Sequence, residues 1–432
     1  MTPPSPTARL PYYEALVQDI PLLYKTPEEI AEAERVVAEA EAQTRRRDII
    51  RLRKPRRIRR IAVRWLVRLR YGFHLRKGTY NLRVARGYLL SFLEKAVRKN
   101  RPVFRGIEFG LTFRCNFKCR HCLCARIDET ETRRELDPDE YERIVAEAMA
   151  LGAHTFGLEG GEPFVCPDWE EIIGRMRPWK NHIIISTNGY MLDEGLVRRC
   201  AAAGVDTLNI SLDSGIPQLH DLFRRKKGSF DRVLRAVELC RAHGIKVILN
   251  TVVHKSNLHT EGLIRLFEFA ERRKVLINVL FAKGVGAFKD KEEMMSEADY
   301  AAFFAIAAPY TYWHIHHWGK LKSNHGGEGC SGVKEFINMT PYGDVICCAN
   351  NHVYLGNVRE EPLAAIRERA LRESPFGRYR RCFLTRDPDF MNVYYPLLEE
   401  RGWVSLEEFR KALRAYEDEK RTVVYPELKA DG

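Results

Sequence analysis

The sequence predicts an α/β protein built on a parallel sheet with helices outside it. Two observations carry this. From residue 105 onward, six β-rich stretches alternate with helical ones, the pattern of successive strand–helix units. The helical stretches also carry start and stop signals. Asp137-Pro138-Asp139-Glu140 is a capping box, and Gly204 and Gly244 close "DEGLVRRCAAAG" and "SFDRVLRAVELCRAHG" as C-terminal glycines. In such a fold the chemistry belongs at the C-terminal ends of the strands.

In chain order, residues 1–25 read as irregular. Thr26-Pro27-Glu28-Glu29 is a capping box with proline at the first helical position, opening a helix to about Thr44. After Pro55, Ile58, Ile61, Ala62, Trp65, Leu66 and Leu69 fall at helical spacing, with Arg57, Arg60, Arg64 and Arg68 opposite. A further amphipathic helix is expected from Leu82 to Lys99. Strands are expected at 106–112, 154–158, 182–186, 206–211, 246–252 and 275–281. Residues 282–326 show no clear period, although "YTYWHIHHWGK" is rich in rings. From Gly329 a hairpin is expected: "EFINMT", turn "PYGD", then "VICCA". The tail after residue 385 reads as helical.

The 432 residues suffice for a large core with satellites. A hydrophobic fraction of 45% and a charged fraction of 30% suit a soluble globular protein. No run of 18 apolar residues is present, and the N-terminus lacks the apolar centre of a signal peptide. A cytoplasmic location follows as an expectation. There, eleven cysteines are thiols, metal ligands or redox groups rather than disulfides. The net charge of +13 is concentrated: Arg45 to Arg70 holds thirteen Lys or Arg and one acid, Asp48.

"FRCNFKCRHCLC" places Cys115, Cys119, Cys122 and Cys124 within ten positions, directly after the first expected strand. A zinc site, disulfides or an iron–sulfur cluster would each use thiols. The common zinc pattern is two separated CxxC pairs, and CxxxCxxC is not that. It supplies three ligands from one loop, and three thiolates on a four-iron cube leave one iron open.

With these residues in place, the sequence resembles the radical SAM superfamily, whose hallmark is this loop after the first strand of a partial (β/α)6 TIM-type barrel. The position before the third cysteine, usually aromatic there, is His121. "EGGEP" (Glu159 to Pro163), "STNG" (Ser186 to Gly189), "ISLDS" (Ile210 to Ser214) and "HDLFRRKKGSFDRV" follow in the family's order. The resemblance covers residues 105–285. It implies a [4Fe-4S] cluster on Cys115, Cys119 and Cys122, with S-adenosylmethionine (SAM) as the missing ligand. It implies that Gly160, Gly161 and Glu162 receive the SAM ammonium group, and that His121, Ser186, Asn188, Ser211, Asp213 and Arg224 belong to the cofactor site. Cys124 reads as a bystander. The implied activity is reductive cleavage of SAM to a 5′-deoxyadenosyl radical, which takes hydrogen from an unactivated C–H. A flavodoxin or ferredoxin type of electron donor is implied with it.

Cys330, Cys347, Cys348 and Cys382 form a second group. The run from Cys330 through Gly343 to Cys348 resembles the opening of SPASM and twitch extensions, in which a hairpin holds an auxiliary [4Fe-4S] cluster. Four cysteines suit the shorter twitch form. Cys382 lacks a CxxC partner, so the alternatives are Cys347 or a non-cysteine group such as His352 as the fourth ligand, or one iron left open. Cys166, Cys200 and Cys240 read as small buried apolar groups.

The expected organisation is a basic helical extension (1–104), a core barrel (105–285), an aromatic linker (286–328), a twitch-like domain (329–385) and a helical tail (386–432). Residues 45–70 suit an anionic membrane surface, placing the protein at the inner face of a membrane with a lipid or hydrophobic small molecule as substrate. RNA is a weaker partner for the same charges, and a cap packed on the barrel is the bland alternative. A ribosomally made peptide and a sugar-type natural product are the next substrates considered. A metal-stabilised nucleic-acid module is the competing class; metal content and 5′-deoxyadenosine formation separate the two.

Overall fold

The computed structural model describes residues 9–46, 77, 80–82, 85, 104–122, 124, 131–285, 293–315, 330–376 and 382–424. The helices expected after Pro55 and from Leu82 to Lys99 lie almost wholly outside these residues. The chain divides into two units. One is Met1–Asn81, Thr112–Glu131 and Leu158–His316; the other is Leu82–Leu111, Thr132–Gly157 and His317–Gly432.

The first unit is a βα array. Strands β3 (His182–Thr187), β4 (Thr207–Ser211), β5 (Lys246–Val253), β6 (Leu276–Phe281) and β7 (Trp313–Ile315) pair in that order, all parallel. This is the open parallel sheet of a partial TIM-type barrel. Helices α4 (Trp169–Arg175), α5 (Glu194–Ala203), α6 (Pro217–Arg224), α7 (Ser229–Ala242), α8 (Glu261–Arg273) and α9 (Glu297–Ala307) separate its segments. Burial alternates along β3 and β5. Ile183 and Ile185, and Val247 and Leu249, are buried. Ser186, Asn209, Ser211 and Asn250 share the opposite face. There Asn278 donates to Asn250 at 2.9 Å and Asn209 to Ser186 at 3.4 Å.

Residues 11–23 depart from the irregular start expected: they form helix α1 (Pro11–Leu23). Pro11 stands at the first helical position, where its missing N–H costs nothing. Tyr13, Leu16 and Ile20 face one way and are buried against Ala33, Val37 and Ala40 of α2 (Pro27–Arg46) and Leu219 and Leu222 of α6. The Tyr13 hydroxyl donates to the Ser256 carbonyl at 2.5 Å, and the Thr44 hydroxyl does so at 2.8 Å. The two helices are thereby fastened onto the βα array.

In the second unit, β1 (Gly106–Thr112) pairs in parallel with β8 (Phe336–Met339). The expected hairpin is present: β8 pairs antiparallel with β9 (Asp344–Ile346), which pairs antiparallel with β10 (Val353–Asn357). The short β11 (Val404–Ser405) joins β10 in parallel. Helices α3 (Pro138–Ala150), α10 (Leu363–Glu373), α11 (Phe383–Arg386), α12 (Pro388–Arg401) and α13 (Leu406–Val424) complete it. The capping box expected at Asp137 closes with both bonds at 2.9 Å. Strand β2 (Thr155–Gly160) begins in this unit and ends in the first. It runs to Gly160, two residues beyond the expected end.

Candidate active site: a three-thiol loop among strand ends

The cysteine loop leaves β1 and is tied to the glycine turn after β2. Gly161 N–H donates to the Thr112 carbonyl at 2.7 Å, and Glu162 N–H to the Arg114 carbonyl at 3.0 Å. A Cβ at Gly161 would lie 2.2 Å from the Arg114 oxygen and 2.6 Å from that of Phe113. No side chain fits there. Gly160 has φ +118°, a region open to glycine.

Glu162 is fully buried. Its carboxylate accepts from the Thr187 hydroxyl at 2.8 Å, Asn188 N–H at 2.8 Å and Phe164 N–H at 3.4 Å. Burial nevertheless raises its pKa to about 7, against the lowering by these donors. A buried carboxyl held this way is ready for a cationic partner.

Cys115, Cys119 and Cys122 share one loop, with Cys122 N–H donating to the Cys119 carbonyl at 3.3 Å. Burial pushes the Cys115 thiol up to about 11 and Cys119 up to about 12, and neighbouring thiols add to it. Desolvated thiols in a group ionise only if a strong positive centre arrives. Three thiols on one loop are the donor type that an iron–sulfur cluster takes. Among the described residues no three His, Cys, Asp or Glu side chains converge as a single-ion site. Arg224 Nη1 reaches the Cys119 sulfur at 3.9 Å.

Arg224 is nearly buried and its Nε donates to Asp213 at 2.6 Å. The other Asp213 oxygen accepts from Val252 N–H at 2.9 Å. Burial works to raise the Asp213 carboxyl, but the charge of Arg224 and its hydrogen bond bring it below its ordinary value. Asp213 thus holds Arg224 against the loop. Asn188 donates to Asn116, inside the cysteine loop, at 2.7 Å, and its oxygen accepts from Tyr190 N–H at 3.0 Å. Ser186 and Ser211 stay on the polar face of the sheet. His121 lies flat on Phe223, with centroids 4.4 Å apart and planes 4° apart. Burial lowers it to about 3, so the ring is neutral.

Sequence reasoning gave no role to Asn116, to Thr187 inside "STNG", or to Asp19. Asn116 had one signal, its place between Cys115 and Cys119. The others act through distant contacts that no local pattern reports.

A family description, the radical SAM superfamily, matches residues 110–267. The AdoMet-dependent heme synthase of Methanosarcina barkeri (strain Fusaro / DSM 804) is 31% identical over 292 residues, which is 62% of this chain and 82% of that protein. The chain belongs to the radical SAM superfamily. As a radical SAM protein it is an enzyme, and the family's cofactors are a [4Fe-4S] cluster and SAM. The Fe-coproporphyrin III synthase of the same organism is 31% identical over 187 residues, or 43% of this chain and 45% of that protein; the chain spans under half of that relative. Streptococcus suis SuiB, in a crystal structure bound to S-adenosylmethionine, has the same fold at a TM-score of 0.53 and 19% identity, over 72% of this chain and 78% of that one.

The second unit of this radical SAM enzyme gathers three further thiols. Cys330 and Cys347 share a hydrogen bond, and Cys347 also contacts Cys348. A Cβ at Gly332 would fall 2.4 Å from the Cys347 sulfur and 3.3 Å from that of Cys330. The glycine is a cradle for sulfur. The bond from Cys347 lowers the Cys330 thiol, whereas burial raises Cys347. Cys382 stands at the N-terminus of α11. His352 is stacked on Trp403 at 4.2 Å. Cys166, Cys200 and Cys240 are buried, as expected. Cys124 lies beside Cys122, with its sulfur 3.6 Å from the Gly160 carbonyl. Among the described residues no helix is long and apolar enough to cross a membrane.

Proposed function

We propose that Cys115, Cys119 and Cys122 hold the [4Fe-4S] cluster, and that Gly160, Gly161 and Glu162 receive the SAM ammonium. The observation that carries this is one loop of desolvated thiols between a buried carboxyl at Glu162 and the guanidinium of Arg224. With both groups bound, their chemistry is reductive cleavage of SAM to a 5′-deoxyadenosyl radical that takes hydrogen from a substrate C–H. The chain's residues orient and shield. Gly161 lets the turn approach the loop, and Glu162 offers a negative oxygen for an ammonium. Asn188 fixes the loop through Asn116, and Arg224, held by Asp213, sets a positive charge beside Cys119. Ser186 and Ser211 offer hydroxyls on the polar face. His121, neutral and stacked, closes the loop's apolar side.

The auxiliary group on Cys330, Cys347, Cys348 and Cys382 belongs to the same reading, as a second [4Fe-4S] site. Its support is the shared contact of the first three thiols and the cradle at Gly332. An electron donor of flavodoxin or ferredoxin type completes the cycle.

For substrate we favour a hydrophobic small molecule of the porphyrin class over a membrane lipid. Support comes from the heme synthase, whose length is matched over 82%. The lipid reading rests on residues 45–70, of which only Arg45 and Arg46 are described. The test is anaerobic reconstitution. About four irons are expected for one cluster and about eight for two, with 5′-deoxyadenosine formed on reduction with SAM. An iron porphyrin should change mass as 5′-deoxyadenosine accumulates. A colourless zinc protein would overturn the enzyme reading; an unchanged porphyrin would overturn the substrate.

A further inference from the structure

We propose that Asp19 is a positioning residue for the cysteine loop, a clamp on α1 that makes the N-terminal helix a working part of the SAM site. This rests on the reading that the loop holds the cluster. Helix α1 lies outside residues 110–267, the span shared with the family.

Asp19 is 4% exposed, yet two arginines converge on it. Arg120 reaches it at 2.5 Å and Arg225 at 2.6 Å, with a second Arg225 contact at 3.3 Å. Both arginines sit at sensitive places. Arg120 stands between Cys119 and His121, so its side chain governs the turn carrying two ligand thiols. The same guanidinium also donates to the Ala15 carbonyl of α1. Arg225 follows Arg224 directly and caps α6 at φ +53°. A non-glycine residue there is strained. Fixing Arg225 ends the helix where Arg224 can meet Cys119 and Asp213.

Further contacts join these elements. Arg120 N–H donates to the Phe223 carbonyl at 3.1 Å, and His121 lies flat on the Phe223 ring. Tyr12 of α1 stands 4.7 Å from His254, which stacks on the other side of Phe223. Loop, helix end and α1 therefore form one unit, with a single carboxylate balancing two guanidiniums. Remove that charge and the guanidiniums repel with no buried partner. The loop and the Arg224 contact should loosen together.

The test uses the full-length reconstituted enzyme and its Asp19→Asn, Asp19→Glu and Lys227→Ala variants. Lys227→Ala breaks the 2.5 Å pair with Glu29, which fastens α2 beside the same turn without touching the loop. Two quantities are read: the rate of iron loss to a chelator, and KM for SAM against kcat for 5′-deoxyadenosine formation. Asp19→Asn should shed iron about tenfold faster and raise KM for SAM, on the scale of a lost charged hydrogen bond. Asp19→Glu should recover most of this, and Lys227→Ala should match the wild type. Iron loss at the wild-type rate in Asp19→Asn overturns the clamp. So does an equal effect of Lys227→Ala, which would mean generic anchoring. Should Asp19→Asn not fold, Arg225→Gln removes one arm from a half-exposed position; it should give an intermediate rate, and a wild-type rate overturns the proposal. A wild type that binds no iron fails the functional reading itself, whereas unchanged iron loss in the variants of an iron-loaded protein fails the clamp alone.

Discussion

Glu162 is the most revealing residue to change, because its carboxyl is fully buried and still titrates in a useful range. Burial holds it at about 7, against an ordinary value of 4.5. Between these values the folded protein binds a proton that the unfolded chain releases. This group's contribution therefore favours folding least at high pH. Stability should fall as pH rises from about 4.5 to about 7 and stay low above that. Moving one carboxyl this far corresponds to about 3 kcal/mol. Glu162→Gln removes the titration. It also turns an NH2 toward the Thr187 hydroxyl or the Asn188 N–H, leaving one donor unmatched at a cost of about 1–3 kcal/mol. The assay is urea unfolding of the cluster-free protein at pH 5 and pH 8. Relative to Glu162→Gln, the wild type should lose about 3 kcal/mol between the two. A stability difference between the proteins that stays constant within about 1 kcal/mol refutes the buried-carboxyl argument. SAM should bind the loaded variant about 10- to 100-fold more weakly, as expected for a lost charged contact.

The remaining predictions concern the loops. Gly161→Ala drives a Cβ into two backbone carbonyls, so iron per chain should fall by more than half with little soluble protein recovered; normal iron content would show that the turn can yield. Cys119→Ala should abolish SAM cleavage, while Cys124→Ala should keep both iron and 5′-deoxyadenosine formation; loss of the cluster in Cys124→Ala would make it a ligand. Cys348→Ala should cut iron from about eight to about four per chain without stopping SAM cleavage. Unchanged iron there would remove the auxiliary site.

The βα array was legible because its signals are local and redundant. Strands 182–187, 246–253 and 276–281 are rich in β-branched residues, and helices such as α5 carry both a capping residue, Asp193, and a terminal glycine, Gly204. The cysteine loop stood out for the same reason: three thiols and two glycines at fixed spacing need no partner to be noticed. The start of the chain was misread. Residues 11–23 read as irregular, yet Pro11 opens α1, and the buried face of Tyr13, Leu16 and Ile20 gains its worth from α2 and α6. The roles of Asp213 and Asn188 were legible only as positions. What they hold, Arg224 and Asn116, is fixed by contacts between residues 11 and 72 positions apart. Asp19 is beyond such reading altogether, since its partners lie about a hundred and two hundred positions away.

The ring sandwich in the second unit has a use in spectroscopy. Trp403 lies between His352 at 4.2 Å and Tyr354 at 4.8 Å. The backbone of His352 donates to the Tyr394 hydroxyl at 2.9 Å. One of six indoles thus stacks on His352, four residues along the chain from Cys348 of the second thiol group. An iron–sulfur chromophore absorbs across the range where indole emits. Filling that site should quench Trp403 selectively. The emission difference between the wild type and Trp403→Phe would then count cluster occupancy in real time, with no added dye.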